Sequence, residues 1–503
     1  MTTDSLLPIA AVLIPAGGAV LVALTTERRR NLRDAWSTIA AVALLAVMLL
    51  LLSDALDGQA ARTTLLEISP GIDIALRADA AGMVFGLLAS ALWVVSGIYA
   101  VGYMRGEREQ KQTRFFAAFA LSISATVGVA LAENLLTFIL FYELLSLFTY
   151  PLVAHRETDE AIVAGRKYLA YTLSGGLLLI GAAAWLHVLG IDATFQPGGF
   201  LDGTTLDGAA QWGLFALLAG GVGVKAAVMP LHSWLPSAMV APTPVSALLH
   251  AVAVVKAGVF GMVRVVAFAF GPALLLDMGA WTVLAGLSAA TVLIASMLAL
   301  RHDNLKRRLA YSTISHLSYI VLGAALLGPI ALTGALLHMV GHGVTKITLF
   351  FAAGAIHVRT HKENVSQLDG IGRQMPITMG AFALASLSMA GIPPFVLFTS
   401  KVYLGWGAAE VGQQLFLLLY VASGVLSAAY LFPIVVRAFA RSSTDHARYG
   451  EADMRMVVPI ALTGIFALVW GIAPDLPLGF FELAESVAGD VFPAPVAAAG
   501  DTP

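Results

Sequence analysis

The chain has 503 residues, 58% of them hydrophobic and only 12% charged, with a formal net charge of −2 and a mean hydropathy of +0.84. A soluble domain carries about 25% charged residues, so the composition points to an all-α polytopic membrane protein, with no nucleic-acid partner expected. No cysteine is present, which excludes thiolate-held clusters, disulfides and Cys-based catalysis.

Spans of about 20 residues fit the chain fourteen times, starting near residues 6, 36, 80, 114, 134, 166, 210, 245, 279, 309, 331, 374, 414 and 456. The N-terminus carries Asp4 and no basic stretch, so the first span is expected to be retained rather than cleaved as a signal. The charges test the count independently. Of the 29 Lys and Arg, 22 fall on alternate loops, in clusters such as Arg28, Arg29, Arg30 and Arg33 or Arg301, Lys306, Arg307 and Arg308. The opposite side holds only Arg62 and Arg77. By the positive-inside rule both termini then lie outside the cytoplasm, with the inner (plasma) membrane as the expected location. The other five basic residues, Lys225, Lys256, Arg264, Lys346 and Lys401, lie within apolar stretches. A charge at bilayer depth costs from about 3 to over 10 kcal/mol and usually marks a path for ions or protons.

Glu143, in NLLTFILFYELLSLFTYPLVA, is the one acid placed in the middle of a span. Burial favours its neutral form and a nearby lysine its charged form, which makes a tunable proton trap. The plain alternative is a static ion pair between spans 5 and 7. Lys225 lies in GGVGVKAAVMP. A buried lysine drops its pKa readily, whereas the alternative is snorkelling to the interface. The next loop, MPLHSWLPSAMVAPTPV, is rich in proline and lacks Lys and Arg, so span 7 is expected to break.

Lys256 sits about twelve residues into span 8, too deep to snorkel comfortably. His250 precedes it by six residues, roughly 120° around a helix, so the two should not touch. His250 is either a relay member or a core histidine satisfied by a hydrogen bond. Arg264 nears the end of this span and reads as structural or snorkelling, because arginine does not deprotonate. His316, in YSTISHLSYI of span 10, is an expected neighbour of span 11. There His338, His342 and Lys346 recur every four residues, a stripe of about 12 Å at 1.5 Å per residue. This pattern suits a proton relay, with histidine as the carrier near neutral pH. Two histidines at i, i+4 without HExxH or an evident third ligand are weak support for a metal, and no metal is expected. GIPPF at 391–395 breaks span 12 six residues before Lys401. Lys401 either links the axis to the exterior or snorkels outward. Breaks in corresponding spans of two halves indicate an inverted-repeat transporter, with spans 4–8 and 9–13 as the five-helix units. The expected organisation is 1–104 (spans 1–3), 114–269 (first repeat), 279–440 (second repeat) and 456–503 (span 14 and a short tail).

Four strings carry a family likeness: PLHSWLPSAMVAPTPVSALLHA, LKRRLAYSTISHLSYI, HGVTKITLFFAAGAIH and GIPPFVLFTSK. Over roughly residues 80–440 the chain resembles the antiporter-like subunits of Mrp-type sodium/proton antiporters, respiratory complex I and membrane-bound hydrogenases. The resemblance implies fourteen spans, two inverted five-helix repeats and broken helices 7 and 12. It implies a coupled Glu143–Lys225 pair, a central Lys256, a Lys346 flanked by His338 and His342, and a Lys401 in span 12. Lys256, Lys401 and the short tail resemble the Mrp D subunit, while FYELLSLFTYPLVAHRETDEA departs from it and leaves a hydrogenase-linked or accessory branch open. The implied function is proton translocation along a Glu/Lys/His axis in a multisubunit complex, with Na+ as the candidate second ion. The implied partners are other membrane subunits. The alternative is the proton-pumping membrane subunit of a complex I-like or hydrogenase-type oxidoreductase, in which case the chain is the ion-translocating part of an enzyme. No cofactor is expected. A quinone or haem enzyme in its own right would need groups that His250, His316 and His338 only imitate, and a passive scaffold would not need five buried charges.

Overall fold

The computed structural model of the protein describes residues 2–493 except 70, 71, 205, 443–445, 447 and 477; the end of the expected 456–503 segment therefore lies outside the described residues. Among those described, eleven helices are long and apolar enough to cross a membrane. The expected spans near 210 and 309 are also helical, as Gly208–Lys225 and Leu305–Ala325. Their polar residues, Lys225 in one and the LKRRLAYSTISH run in the other, keep them out of the apolar set. The span expected near 374 is two short helices, Pro376–Ala390 and Val396–Glu410, separated by GIPPF, with Gly391 at φ +83°.

Both expected breaks are present. The helix Gly208–Lys225 stops at its lysine, and Ala227 takes a left-handed conformation (φ +55°) before Pro230. Proline lacks the N–H that a helix needs and clashes with the preceding turn. The chain then makes short turns at Trp234–Ser237 and Ala238–Val240 before entering the next span. That span, Thr243–Phe270, is itself irregular, because Leu248–Val252 and Arg264–Phe270 are wound as π-helix. Such bulges recur at functional sites. His250 lies in the first of them and Arg264 opens the second.

The core is one continuous apolar cluster running from Ala11 to Val491. Two helices, Thr243–Phe270 and Pro329–Thr360, are buried throughout their apolar windows, while Leu7–Leu24, Arg30–Leu56 and Asp159–Val188 leave most of theirs uncovered. The helices that carry Lys256 and Lys346 are thus the innermost, and the less covered apolar helices lie on the outside.

Two features were not read from the sequence. A small sheet joins Thr2–Asp4, Ala60–Ser69 and Ile72–Ala78, the first pair parallel and the second antiparallel. Its register sets Arg62 opposite Arg77, a like-charge pairing that is unfavourable alone. Acids offset it: Arg62 bonds Glu133 at 2.6 Å and Asp73 at 3.1 Å. The expected short tail contains a helix, Phe480–Val491, which buries Phe480, Leu483, Ala484, Val487, Ala488 and Val491 at helical spacing.

Candidate functional site: a buried amine, imidazole and hydroxyl axis

Glu143 projects from the helix Leu135–Val153 toward Gly176 of Asp159–Val188. A Cβ built at Gly176 would lie 2.1 Å from Glu143 Oε1, so only glycine leaves the carboxyl its place. That Oε1 is buried and has no hydrogen-bond partner among the described residues. Lys225 is fully buried. Its ammonium donates to the Tyr142 carbonyl and lies 3.3 Å from the centroid of the Tyr142 ring. Glu143 and Lys225 interact electrostatically, but no ion pair within 4.0 Å joins them among the described residues. The lysine is therefore held by the residue next to the glutamate, and the carboxyl is left free. Neither residue has the contacts of a static clamp.

Gly258 brings this pair against the next member. A Cβ there would sit 2.1 Å from Ala226 N and 2.3 Å from Lys225 C, so the Lys256 helix rests directly on the backbone where the Lys225 helix ends. Lys256 is fully buried, donates to Met339 O at 2.8 Å and lies 2.9 Å from His342 Nδ1. His250 makes no hydrogen bond with Lys256. It stacks on Phe350 at 4.6 Å, and neither ring nitrogen has a hydrogen-bond partner among the described residues.

From Lys346 a continuous chain of hydrogen bonds runs through four helices. Lys346 Nζ donates to Leu309 O at 3.2 Å and Ser312 Oγ at 2.7 Å. Ser312 Oγ lies 2.8 Å from the Tyr430 hydroxyl, which lies 3.0 Å from Ser427 Oγ. Ser427 Oγ is 3.2 Å from His316 Nε2, His316 Nδ1 is 3.1 Å from His338 Nε2, and His338 Nδ1 is 2.9 Å from Ser400 Oγ. His342 joins by stacking, its ring 5.5 Å from that of His316. The stripe expected on one helix face therefore fans out. His338 turns to His316 and Ser400, His342 to Lys256, and Lys346 to Ser312. Residues four apart drift about 40° around a helix, enough for each to meet a different neighbour.

Lys401 is half-buried and turned inward. It donates to Met389 O at 2.7 Å, and its ammonium lies 5.5 Å from the Tyr319 ring centroid. Tyr319 stacks on both His316 and His338 at 4.9 Å. Arg264 stands apart from all of these. It forks onto Asp79 with two bonds of 2.7 Å, and Asp79 also caps the helix Ala80–Gly106 by accepting from Gly82 N. Three phenylalanines, 195, 260 and 268, ring its guanidinium. This is a fixed structural pair, which excludes snorkelling. Burial alone would raise the Asp79 carboxyl, but Arg264, helped by Arg77 and the Gly82 N–H, holds it below its usual value.

Among the described residues the partners of Lys256, Lys346 and Lys401 are carbonyls, a hydroxyl and an imidazole, with no carboxylate. Such partners accept from an ammonium, and the hydroxyls and imidazoles can also donate to a neutral amine. His316 and His338 each engage both ring nitrogens. A proton that passed along the whole chain would exchange the donor and acceptor roles of its hydroxyls and imidazoles. Ser312, Tyr430, Ser427 and Ser400 were not picked out from the sequence. A signal existed, since Ser312 precedes His316 by four and Ser427 precedes Tyr430 by three, both helical neighbours.

Residues 132–427 match the family model described as NADH:quinone oxidoreductase/Mrp antiporter, TM. The NADH-quinone oxidoreductase subunit N of Desulforudis audaxviator (strain MP104C) is 32% identical over 428 residues, covering 80% of this chain and 82% of that one. A probable K(+)/H(+) antiporter subunit of Rhizobium meliloti (strain 1021), of the A/B type, is 34% identical over 424 residues, covering 82% of this chain. The chain spans only 41% of that relative's length. A chain in the structure of the Mrp complex from Dietzia sp. DQ12-45-1b superposes with a TM-score of 0.85 at 23% identity, covering 97% of both; at that identity it supports the fold alone. By the matched model and by the subunit N relative, the chain belongs to the NADH:quinone oxidoreductase/Mrp antiporter transmembrane family.

Proposed function

We propose that this chain translocates protons within a multisubunit membrane complex, as a monovalent cation/proton antiporter subunit. The carrying observation is the run of buried hydrogen bonds from Lys346 through Ser312, Tyr430, Ser427, His316 and His338 to Ser400. Glu143 takes or releases a proton in response to Lys225. Lys256 with His342 forms the midpoint, His250 stacks on Phe350 within electrostatic reach of Lys346, and Lys401 is the outlet. The K(+)/H(+) antiporter relative supports a second ion, with Na+ or K+ as candidates. Lys401 favours a D-like subunit. The second reading is a proton-pumping subunit of a complex I-like or hydrogenase-type oxidoreductase. It is favoured by the fuller coverage of the subunit N relative. The proposed topology is fourteen crossings of the plasma membrane with both termini outside the cytoplasm. Inverted units at 114–269 and 279–440 are flanked by 1–104 and 456–503.

The test uses inverted membrane vesicles in which cation-driven proton movement is followed with a pH-sensitive dye. Glu143→Ala is expected to abolish it, and Glu143→Asp to keep part, with the protein still inserted. The chain expressed alone is expected to be inactive and, from native membranes in mild detergent, to copurify with other membrane subunits. Wild-type rates in Glu143→Ala would sink the proposed role of the carboxyl. Robust exchange by the isolated reconstituted chain would make it a self-sufficient antiporter.

A further inference from the structure

The helix that carries His338, His342 and Lys346 ends in a second histidine pair, remote from the axis. His357 lies in the last turn of Pro329–Thr360, and His361 caps it in the left-handed conformation (φ +54°), its N–H bonded to His357 O. A non-glycine residue at positive φ is uncommon, though histidine tolerates it better than most. Glu107 faces this pair from the residue that caps Ala80–Gly106. The two helix ends meet closely, since a Cβ on Gly106 would lie 2.8 Å from Val358 Cγ1.

We propose that Glu107, His357 and His361 form a binding site for a first-row divalent transition ion, Zn2+ foremost. One ligand atom from each lies within 4.8 Å of the other two. A tetrahedral ion with bonds of about 2.0–2.1 Å needs its ligand atoms about 3.4 Å apart. His361 is exposed, so its ring can swing inward by that much. His357 Nε2 lies 3.7 Å from Glu107 Oε2, and its Nδ1 lies 3.3 Å from Glu363 Oε1 without making a hydrogen bond among the described residues. In metal sites a ligating imidazole commonly donates its other N–H to a carboxylate, which fixes the tautomer and orients the ring. Glu363 is near enough to take that place once the ring turns to the ion. Glu107 Oε1 is buried and has no hydrogen-bond partner among the described residues, so a ligand would satisfy an otherwise costly oxygen. Two imidazoles and one carboxylate, with the fourth position open to water, suit Zn2+ and Co2+ rather than Mg2+ or Ca2+, which prefer all-oxygen sites. The arrangement goes unnoticed in the sequence because Glu107 lies 250 residues from His357. A bound ion would tie the end of the Lys346 helix to the Ala80–Gly106 helix.

The site does not depend on the transport reading, so the test is binding itself. The full chain, purified with the subunits that accompany it, is stripped with a chelator and titrated with Co2+ while visible absorption is recorded; Zn2+ is then added as competitor. One equivalent of tetrahedral Co2+ is expected, displaced by Zn2+ and not by excess Mg2+. His361→Ala and Glu107→Gln should each weaken binding at least about tenfold, and Glu363→Gln by about 10–100-fold through the ring it orients. Saturating Zn2+ should raise the thermal midpoint of the wild type and not of His361→Ala, because an ion that binds only the folded state stabilises it. His361 is exposed, so its variant should keep the metal-free midpoint of the parent. His361→Gln serves in its place if the alanine variant does not fold. No stoichiometric tetrahedral Co2+ signal in the wild type would overturn the proposal, as would an undiminished signal in the His361 variant.

Discussion

Tyr430→Phe removes one oxygen and nothing else from the centre of the hydrogen-bonded chain. The hydroxyl joins Ser312 Oγ at 2.8 Å to Ser427 Oγ at 3.0 Å. Without it Ser312 and Ser427 are left with no hydrogen bond between them among the described residues. The structural cost is small. Ser312 keeps Lys346 at 2.7 Å and Ser427 keeps the Ser423 carbonyl at 2.9 Å. Two neutral hydrogen bonds at about 0.5–1.5 kcal/mol each give a loss of about 1–3 kcal/mol at most. The functional cost is larger. A positioned proton-transfer group typically contributes about 10²–10⁴ in rate, so proton movement should fall by about 10²-fold or more. The assay is dye-monitored proton movement in inverted vesicles, normalised to inserted protein, alongside thermal unfolding in detergent. A wild-type rate in the phenylalanine variant would show that the chain from Lys346 to His316 is not the route.

Asp79→Asn keeps the helix cap but leaves the Arg264 charge buried and unpaired, which typically costs about 3–5 kcal/mol. The thermal midpoint should drop clearly; an unchanged midpoint would refute the structural role given to Arg264. Because the Asp79 carboxyl sits below its usual value in the folded protein, its contribution is full above the unfolded value of about 3.9 and is lost as pH falls through the lower folded value. The gap between variant and wild type should therefore close in strong acid. Gly258→Ala pushes a methyl into backbone at 2.1 Å and should cost about 1–3 kcal/mol while displacing Lys225. Unaltered stability and transport in that variant would show that the contact is not tight.

The sequence carried much of the architecture because lipid imposes simple rules. Apolar runs, alternating charge on the loops and proline-marked breaks located the helices and both interruptions. The buried lysines and histidines stood out for the same reason, since charge in an apolar run is costly. The small sheet escaped because residues 60–78 lie between spans, where hydropathy carries little signal. The hydroxyls of Ser312, Ser400, Ser427 and Tyr430 escaped because serine and tyrosine are tolerated in membrane helices and signal nothing alone. Their meaning comes only from packing, which brings residues over 100 positions apart, such as Ser312 and Tyr430, within bonding distance. The pairing of Arg264 with Asp79 likewise joins residues 185 apart.

The central claim is that the buried lysines exchange protons rather than supply fixed charge. Lys346 tests it most directly, since its amine heads the chain through Ser312. Arginine keeps the charge but does not deprotonate in proteins. The measurement is the rate of proton movement in inverted vesicles carrying Lys346→Arg, beside Lys346→Ala and wild type at equal inserted amounts. The account predicts that the arginine variant is nearly as inactive as the alanine variant. Full activity with arginine would contradict it, because a permanent positive charge would then be all that the position requires.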